Sequence, residues 1–328
     1  MKIIEFNELG NPADVLVMKT LPASALQPEE VRVKVLATPI HPANLLQISG
    51  QYAASPDLPS VPGGEGIGQI AEVGRDVAHL QVGQAVLLAG VGGTWRDELV
   101  APAATLIPAP AGDFEQLSML AVNPLTAHLL LTRFGDLNAG DWIIQSAANS
   151  AVGEMVIQLA AQRGINTVNI ARREDVLPRL TSLGGTVALI DGPDLAARVA
   201  AATDGASIRS AFDCVGGETY ERLIETLGYG ASIVTYGTLS GKLPELNLNA
   251  IVVNDVRPRG FWLAKWYETA SQADKQAALG ALIPLIASGQ VKTKIDSRFP
   301  LEEISEAVQR AAENGRDGKV LLVPNATI

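Results

Sequence analysis

The feature that most constrains this chain is a change of hydrophobic period near Phe114. Before it, short apolar stretches repeat every second residue and are cut by Gly and Pro; after it, short apolar runs take turns with stretches of helical period. In the first part, Val31-Arg32-Val33-Lys34-Val35-Leu36 alternates apolar and charged, and residues 67–74 and 84–88 follow suit. Irregular, turn-rich strands of this kind predict a partly open β-barrel. In the second part a helical pattern over 116–128 leads to apolar runs at 142–145, 167–170, 187–190, 210–213 and 231–234. Between the first two, residues 152, 155, 156, 159 and 160 form the apolar stripe of a helix that ends at Gly164. Apolar runs separated by helices predict parallel strands in a doubly wound sheet. A helix over 273–288 and a strand over 320–323 complete an α/β chain. The expected division is a barrel-like domain over 1–115, completed by 267–328, and a nucleotide-binding domain over 116–266.

Composition removes several functions. Of 328 residues, 47% are hydrophobic and 18% charged, which is enough to pack two cores and unlike a disordered chain. Lys+Arg 25 against Asp+Glu 35 leaves a net charge of −10, which repels phosphate backbones and anionic lipid, so neither nucleic acid nor membrane is an expected partner. No apolar run reaches the roughly 18 residues a spanning helix needs. The opening MKIIEFNELG carries charges where a signal peptide needs apolar residues, and a cytoplasmic protein is expected. The single cysteine, Cys214, forbids an intramolecular disulfide and Cys-rich zinc sites, and reads as a small core residue. His41, His79 and His128 share no ligand spacing, so no metal is expected. With no G-x-S-x-G elbow and no Ser-His-Asp set, hydrolase chemistry has no support.

The segment after the first α/β strand is Ala147-Ala148-Asn149-Ser150-Ala151-Val152-Gly153. On the pattern G-x-G-x-x-G the glycine positions fall at Ala148, Ser150 and Gly153. Only the last is glycine, but small residues still let a backbone approach a pyrophosphate at a helix start. The alternative is an ordinary small-residue helix start. The next strand ends Ile170-Ala171-Arg172-Arg173, where a site for the non-phosphorylated coenzyme places Asp or Glu against the ribose 2′-hydroxyl. Two guanidiniums suit a 2′-phosphate, which makes NADPH the expected cofactor. Otherwise the pair is simply solvated. Tyr52, in a loop after Gly50, reads either as a phenol placed for proton transfer or as a surface side chain shielding a Pro-rich turn.

Taken together the chain resembles the medium-chain dehydrogenases/reductases. The markers are Pro62-Gly63-Gly64-Glu65-Gly66-Ile67-Gly68, Asn123-Pro124-Leu125-Thr126-Ala127 and Gly318-Lys319-Val320. Zinc-dependent members carry His where this chain has Gly64, so the resemblance is to the zinc-free branch, with a GroES-like substrate domain and a Rossmann domain. Ile40-His41-Pro42-Ala43-Asn44-Leu45-Leu46-Gln47-Ile48-Ser49-Gly50-Gln51-Tyr52 is similar to the N-P-S-D-x-N-x-I-x-G-x-Y stretch of 2-enoyl thioester reductases. His41, Asn44 and Leu46 depart from it. Gly93-Thr94-Trp95, Tyr236-Gly237-Thr238 and Gly260-Phe261-Trp262-Leu263 with Trp266 agree with that family too.

The resemblance implies NADPH-dependent reduction of the double bond of an enoyl-CoA or enoyl-carrier-protein thioester. Tyr52 is then the catalytic residue, suited to assist the enolate that hydride addition creates. The implied cofactor contacts are Asn123, Asn149, Ser150, Ala151, Val152, Gly153, Arg172, Arg173, Tyr236, Gly237, Thr238, Leu239, Phe261, Trp262, Leu263 and Lys319. Trp95, Trp262 and Trp266 are expected to line the substrate pocket, although Trp262, Trp266 and Phe261 could equally belong to an interdomain core. A homodimer pairing edge strands near Ile233 and Val256 is expected. The rival readings are a zinc-independent quinone oxidoreductase, a reductase of conjugated acids or ketones, and a non-catalytic NADPH-binding protein.

Overall fold

The computed structural model describes residues 1–325. Two compact units emerge, one of residues 1–122 with 279 onward, the other of residues 123–278. The boundaries thus lie beyond 115/116 and 266/267. Gln116 exchanges two hydrogen bonds with the Thr293 backbone, at 2.9 and 2.8 Å, and so holds its segment in the first unit. The helix Leu263–Thr269 and the first half of the helix Gln272–Ala287 go with the second.

In the first unit β1 (Lys2–Glu5) and β2 (Val17–Thr20) form an antiparallel ribbon. The main sheet has seven strands: β3 (Glu30–Pro39), β4 (Ile67–Val73), β5 (Ala85–Leu87), β6 (Glu98–Pro102), β7 (Ile107–Pro108), β14 (Ile295–Phe299) and β15 (Lys319–Leu322). Its order is β14-β15-β3-β4-β5-β7, with β6 also on β3. β3 organises it. Val31, Val33 and Val35 are buried between Arg32 and Lys34, the alternation of a half-buried strand, and from Val35 to Pro39 burial is continuous. One edge of β3 pairs with β4, and the other pairs first with β6 and then with β15.

The second unit holds β8 (Trp142–Gln145), β9 (Asn166–Ala171), β10 (Val187–Ile190), β11 (Ile208–Asp213), β12 (Leu227–Thr235) and β13 (Arg257–Gly260). All neighbours are parallel in the order β10-β9-β8-β11-β12-β13. Chain direction across the sheet reverses between β8 and β11, the switch point outside which open α/β sheets bind dinucleotides. Its inner strands bury apolar residues, among them Val168, Ile170, Phe212, Ile233 and Val234, whereas β13 is exposed along its length.

Two expectations need correction. The pattern over 116–128 is not one helix but a short turn, Phe114–Leu117, and a helix, Asn123–Arg133. Between them the amides of Ala121 and Val122 bond the Glu65 carboxylate instead of a preceding carbonyl. Ile233 is not at an edge: β12 is flanked by β11 and β13, and the edge strands are β10 and, after Val256, β13.

Candidate active site

Residues that follow the carboxyl ends of successive parallel strands necessarily gather along one rim of a sheet. In the second unit β8 leads into Asn149–Gly153, β9 into Arg172 and Arg173, β12 into Tyr236–Leu239, and β13 into Phe261–Leu263. The fold therefore brings fourteen of the sixteen implied cofactor residues to one rim, the exceptions being Asn123 and Lys319. The switch point itself is tied: Ser146 Oγ donates to Asp213 Oδ1 at 2.6 Å, and Asp213 accepts from the amides of Val215 and Gly216, each at 3.0 Å.

The loop after β8 turns through Ala147, whose φ of 44° is left-handed, and reaches Ser150, the N-cap of the helix Ala151–Gln162. Ser150 Oγ accepts from the Gly153 amide at 3.1 Å. A Cβ on Gly153 would lie 2.5 Å from the Ala148 carbonyl oxygen, so only glycine lets this helix sit so close to the loop. Tyr236 is half-buried, with its hydroxyl enclosed beside Cys214 and Ser150; desolvation of that hydroxyl is the main cause that pushes its pKa well above the ordinary phenol. Burial also pushes the Cys214 thiol up to about 12, which leaves it an inert core group.

Arg172 and Arg173 are exposed. Arg173 Nε is 3.4 Å from Asp175 Oδ1, whereas Arg172 has no ion-pair partner among the described residues. Asn123 heads the helix Asn123–Arg133, buried, with no hydrogen-bond partner for its Nδ2 among the described residues. These groups fit a dinucleotide carrying an extra phosphate: a glycine-dependent close approach, a capped helix start, an unmatched buried amide and an uncompensated guanidinium. Trp262 is 40% exposed, and Trp266 is buried.

Tyr52, Trp95 and Lys319 lie in the first unit. Tyr52 is half-buried just after the helix Pro42–Ile48, and its amide donates to the Leu46 carbonyl at 3.1 Å. Trp95 is wholly buried in the core with Ile4, Phe6, Ile40 and Ile48, so it exposes no surface that a substrate could touch. Lys319 is buried too. Its Nζ donates to the Ile40 carbonyl at 2.7 Å and lies 3.1 Å from His41 Nδ1, so its contacts are internal rather than aimed at a cofactor.

Sequence reasoning treated Glu65 only as a family marker, yet the structure makes it a centre. His41 Nε2 is 2.6 Å from Glu65 Oε1, and Glu65 Oε2 accepts from the amides of Ala121 and Val122 at 2.7 and 2.9 Å. Burial pushes Glu65 up and Lys319 down, while each charge favours ionisation of the other. Burial, then Lys319, holds His41 well below the usual imidazole range, so the ring is neutral. One tautomer satisfies everything: Nδ1 accepts from Lys319 and Nε2–H donates to Glu65. A carboxylate set among glycines and apolar residues was the available signal for this site. Among the described residues no group of three or more His, Cys, Asp and Glu side chains is placed to hold a metal.

Two family descriptions match the chain: "Alcohol dehydrogenase GroES-like domain" over residues 27–111 and "Zinc-binding dehydrogenase" over 151–278. The human enoyl-[acyl-carrier-protein] reductase, mitochondrial, is 34% identical over 98% of this chain and 88% of its own length. A mutant form of enoyl thioester reductase from Candida tropicalis superposes with a TM-score of 0.87 at 25% identity, covering 98% of this chain and 99% of that one. Quinone oxidoreductase from Pseudomonas syringae pv. Tomato superposes with a TM-score of 0.86 at 27% identity, again over 98% and 99%.

Proposed function

The chain belongs to the enoyl-[acyl-carrier-protein] reductase family of the medium-chain dehydrogenases/reductases, and from that membership we propose that it reduces the carbon–carbon double bond of a 2-enoyl thioester with NADPH. The observation that carries this reading is the 34% identity sustained over 98% of the chain. When bound, NADPH supplies the hydride that adds to the β-carbon. The protein's part is to hold and to protonate. The loop 147–153 and the helix start at Ala151 receive the pyrophosphate, Arg172 and Arg173 receive the 2′-phosphate, and Tyr236–Leu239 with Phe261–Leu263 position the nicotinamide half. Tyr52 donates a hydrogen bond to the thioester oxygen as it gains charge, or passes the proton to the α-carbon.

The likeness to a quinone oxidoreductase supports a second reading, in which the hydride goes to a quinone. Following NADPH oxidation with crotonyl-CoA and with a soluble quinone separates the two. Crotonyl-CoA is expected to turn over, with Tyr52→Phe slowing that reaction by about a hundredfold, the usual scale for a general acid. Turnover with quinone alone, unaffected by Tyr52→Phe, would overturn the proposal. We propose further that the enzyme works as a homodimer whose second copy covers the exposed apolar side chains of residues 239–253.

A further inference from the structure

The carboxyl ends of β8–β13 form the cofactor rim; the other side of the same sheet carries a second concavity. A cavity of about 310 Å³ lies between the segment 132–137 and the strands β11, β12 and β13. Register builds its floor. Ser210 of β11 lies beside Ser232 of β12, which lies beside Arg257 of β13, so the three side chains share one face, as does Arg259 two residues on. Arg133 and Arg209 complete the lining, so four arginines border one small space in a chain of net charge −10, against a single carboxylate in the lining, Asp136.

The charges are not cancelled. Arg257 pairs with Asp255, but Arg133 and Arg209 have no ion-pair partner among the described residues. Arg259 lies 5.2 Å above the Phe134 ring, which packs edge-on against Phe261, an arrangement that fixes the guanidinium. An independent sign comes from Ser210, which lines the cavity: the residue is 1% exposed and its hydroxyl has no hydrogen-bond partner among the described residues. A Cβ at Gly135 would lie 3.2 Å from that hydroxyl, so a larger residue there would crowd it. The carbonyl end of the helix Asn123–Arg133 would repel an anion. However, Arg163 already bonds the Leu131 and Leu137 carbonyls, at 2.9 and 3.1 Å.

We propose that this cavity binds a diphosphate group, free or as part of a small nucleotide. Guanidinium forks match phosphate oxygens bidentately, the Ser210 hydroxyl supplies a further donor, and the volume exceeds what one phosphate fills. On β11 and β12 the lining, Ser210 and Ser232, lies three residues before the strands end at Asp213 and Thr235, which sets it apart from the rim, while Arg259 and Phe134 border the rim residue Phe261.

Calorimetric titration of the full chain, its coenzyme site filled by saturating NADPH, with sodium pyrophosphate and, separately, with ADP tests this. Pyrophosphate is expected to bind the Arg172→Ala/Arg173→Ala chain as well as the unaltered one. It is expected to bind Arg133→Ala/Arg209→Ala at least about tenfold more weakly. Arg133→Lys/Arg209→Lys keeps the charge but loses the fork and should fall between. Tighter binding of ADP than of pyrophosphate identifies a nucleotide as the source of the diphosphate; equal binding identifies the free ion. An unchanged NADPH affinity in the alanine pair shows that the fold is intact, and if that affinity is lost the lysine pair decides. Absence of binding by either ligand at millimolar concentration overturns the proposal, as does undiminished pyrophosphate binding by the deciding variant.

Discussion

Arg172 and Arg173 are adjacent and chemically identical, yet the structure makes them unequal. Asp175 partly compensates Arg173, while Arg172 faces solvent unpaired. A 2′-phosphate therefore gains more from Arg172, because binding it does not first require loosening another contact. Losing a charge-assisted hydrogen bond costs about 1.5–3 kcal/mol, roughly tenfold or more in affinity. Arg172→Ala should raise KM for NADPH by about that factor, Arg173→Ala by less, and neither should change KM for NADH. Steady-state assays with both coenzymes check this, and equal losses with both would refute the assignment. The pair was legible in the sequence because the period of 167–170 located a strand end. Trp95 was not: its surroundings, Ile4, Phe6, Ile40 and Ile48, come from three separate segments, and no local pattern announces that they enclose it.

Elements were legible wherever one period dominated, as in β3, β8 and the Ala151–Gln162 helix. Legibility failed where a distant group recruited the backbone. Glu65 draws the amides of Ala121 and Val122 across 56 and 57 residues, and Lys319 reaches Ile40 across 279. That network ties β15 to the start of the helix Pro42–Ile48, whose far end leads to Tyr52. Lys319→Met would strand a buried carboxylate and should destabilise the protein by about 3–5 kcal/mol. Glu65→Gln in the same chain should restore most of it, because the buried charge disappears with its partner. Urea midpoints for the two singles and the double decide, and purely additive losses would sink the idea of a coupled pair. A second junction joins β14 to the helix Ile304–Ala312. Arg310 donates through Nη2 and Nε to Asp296 at 2.6 and 2.8 Å, with further bonds from Ser297 and the Asp317 amide, and these hold Asp296 at about 2. A depressed carboxyl binds fewer protons folded than unfolded, so its contribution is full above the ordinary value near 3.8 and vanishes as pH falls through about 2. Asp296→Asn should accordingly cost about 1–2 kcal/mol near neutrality, allowing for solvent screening, and almost nothing near pH 2. Denaturant titrations at both pH values test it; a constant difference would show that the carboxylate's charge is not what matters.

At the scale of the whole molecule the open question is what covers the second unit. β13 is its free edge beyond β12, but it is poorly suited to pairing: it is four residues long, Pro258 lacks an amide hydrogen, and Arg257 and Arg259 would meet their own copies across a two-fold axis. Apolar exposure lies elsewhere. Leu243 is 87% exposed and Val252 78%, and Leu246, Leu248, Val253 and Tyr229 are also open to solvent. Side chains of this size grouped within one stretch mark an association surface more than a monomer's exterior. A chain of net charge −10 also resists non-specific clustering, so contact through this stretch has to be specific. Sedimentation should give a dimer at micromolar concentration. Leu243→Asp/Val252→Asp should weaken it by about a hundredfold or more, since two carboxylates would be buried where apolar area was gained. Arg257→Ala should leave the dimer as strong or stronger, because it removes like-charge repulsion at the edge. A monomeric unaltered chain would refute the assembly, and a dimer lost with Arg257→Ala but kept with the two aspartates would move the interface to β13.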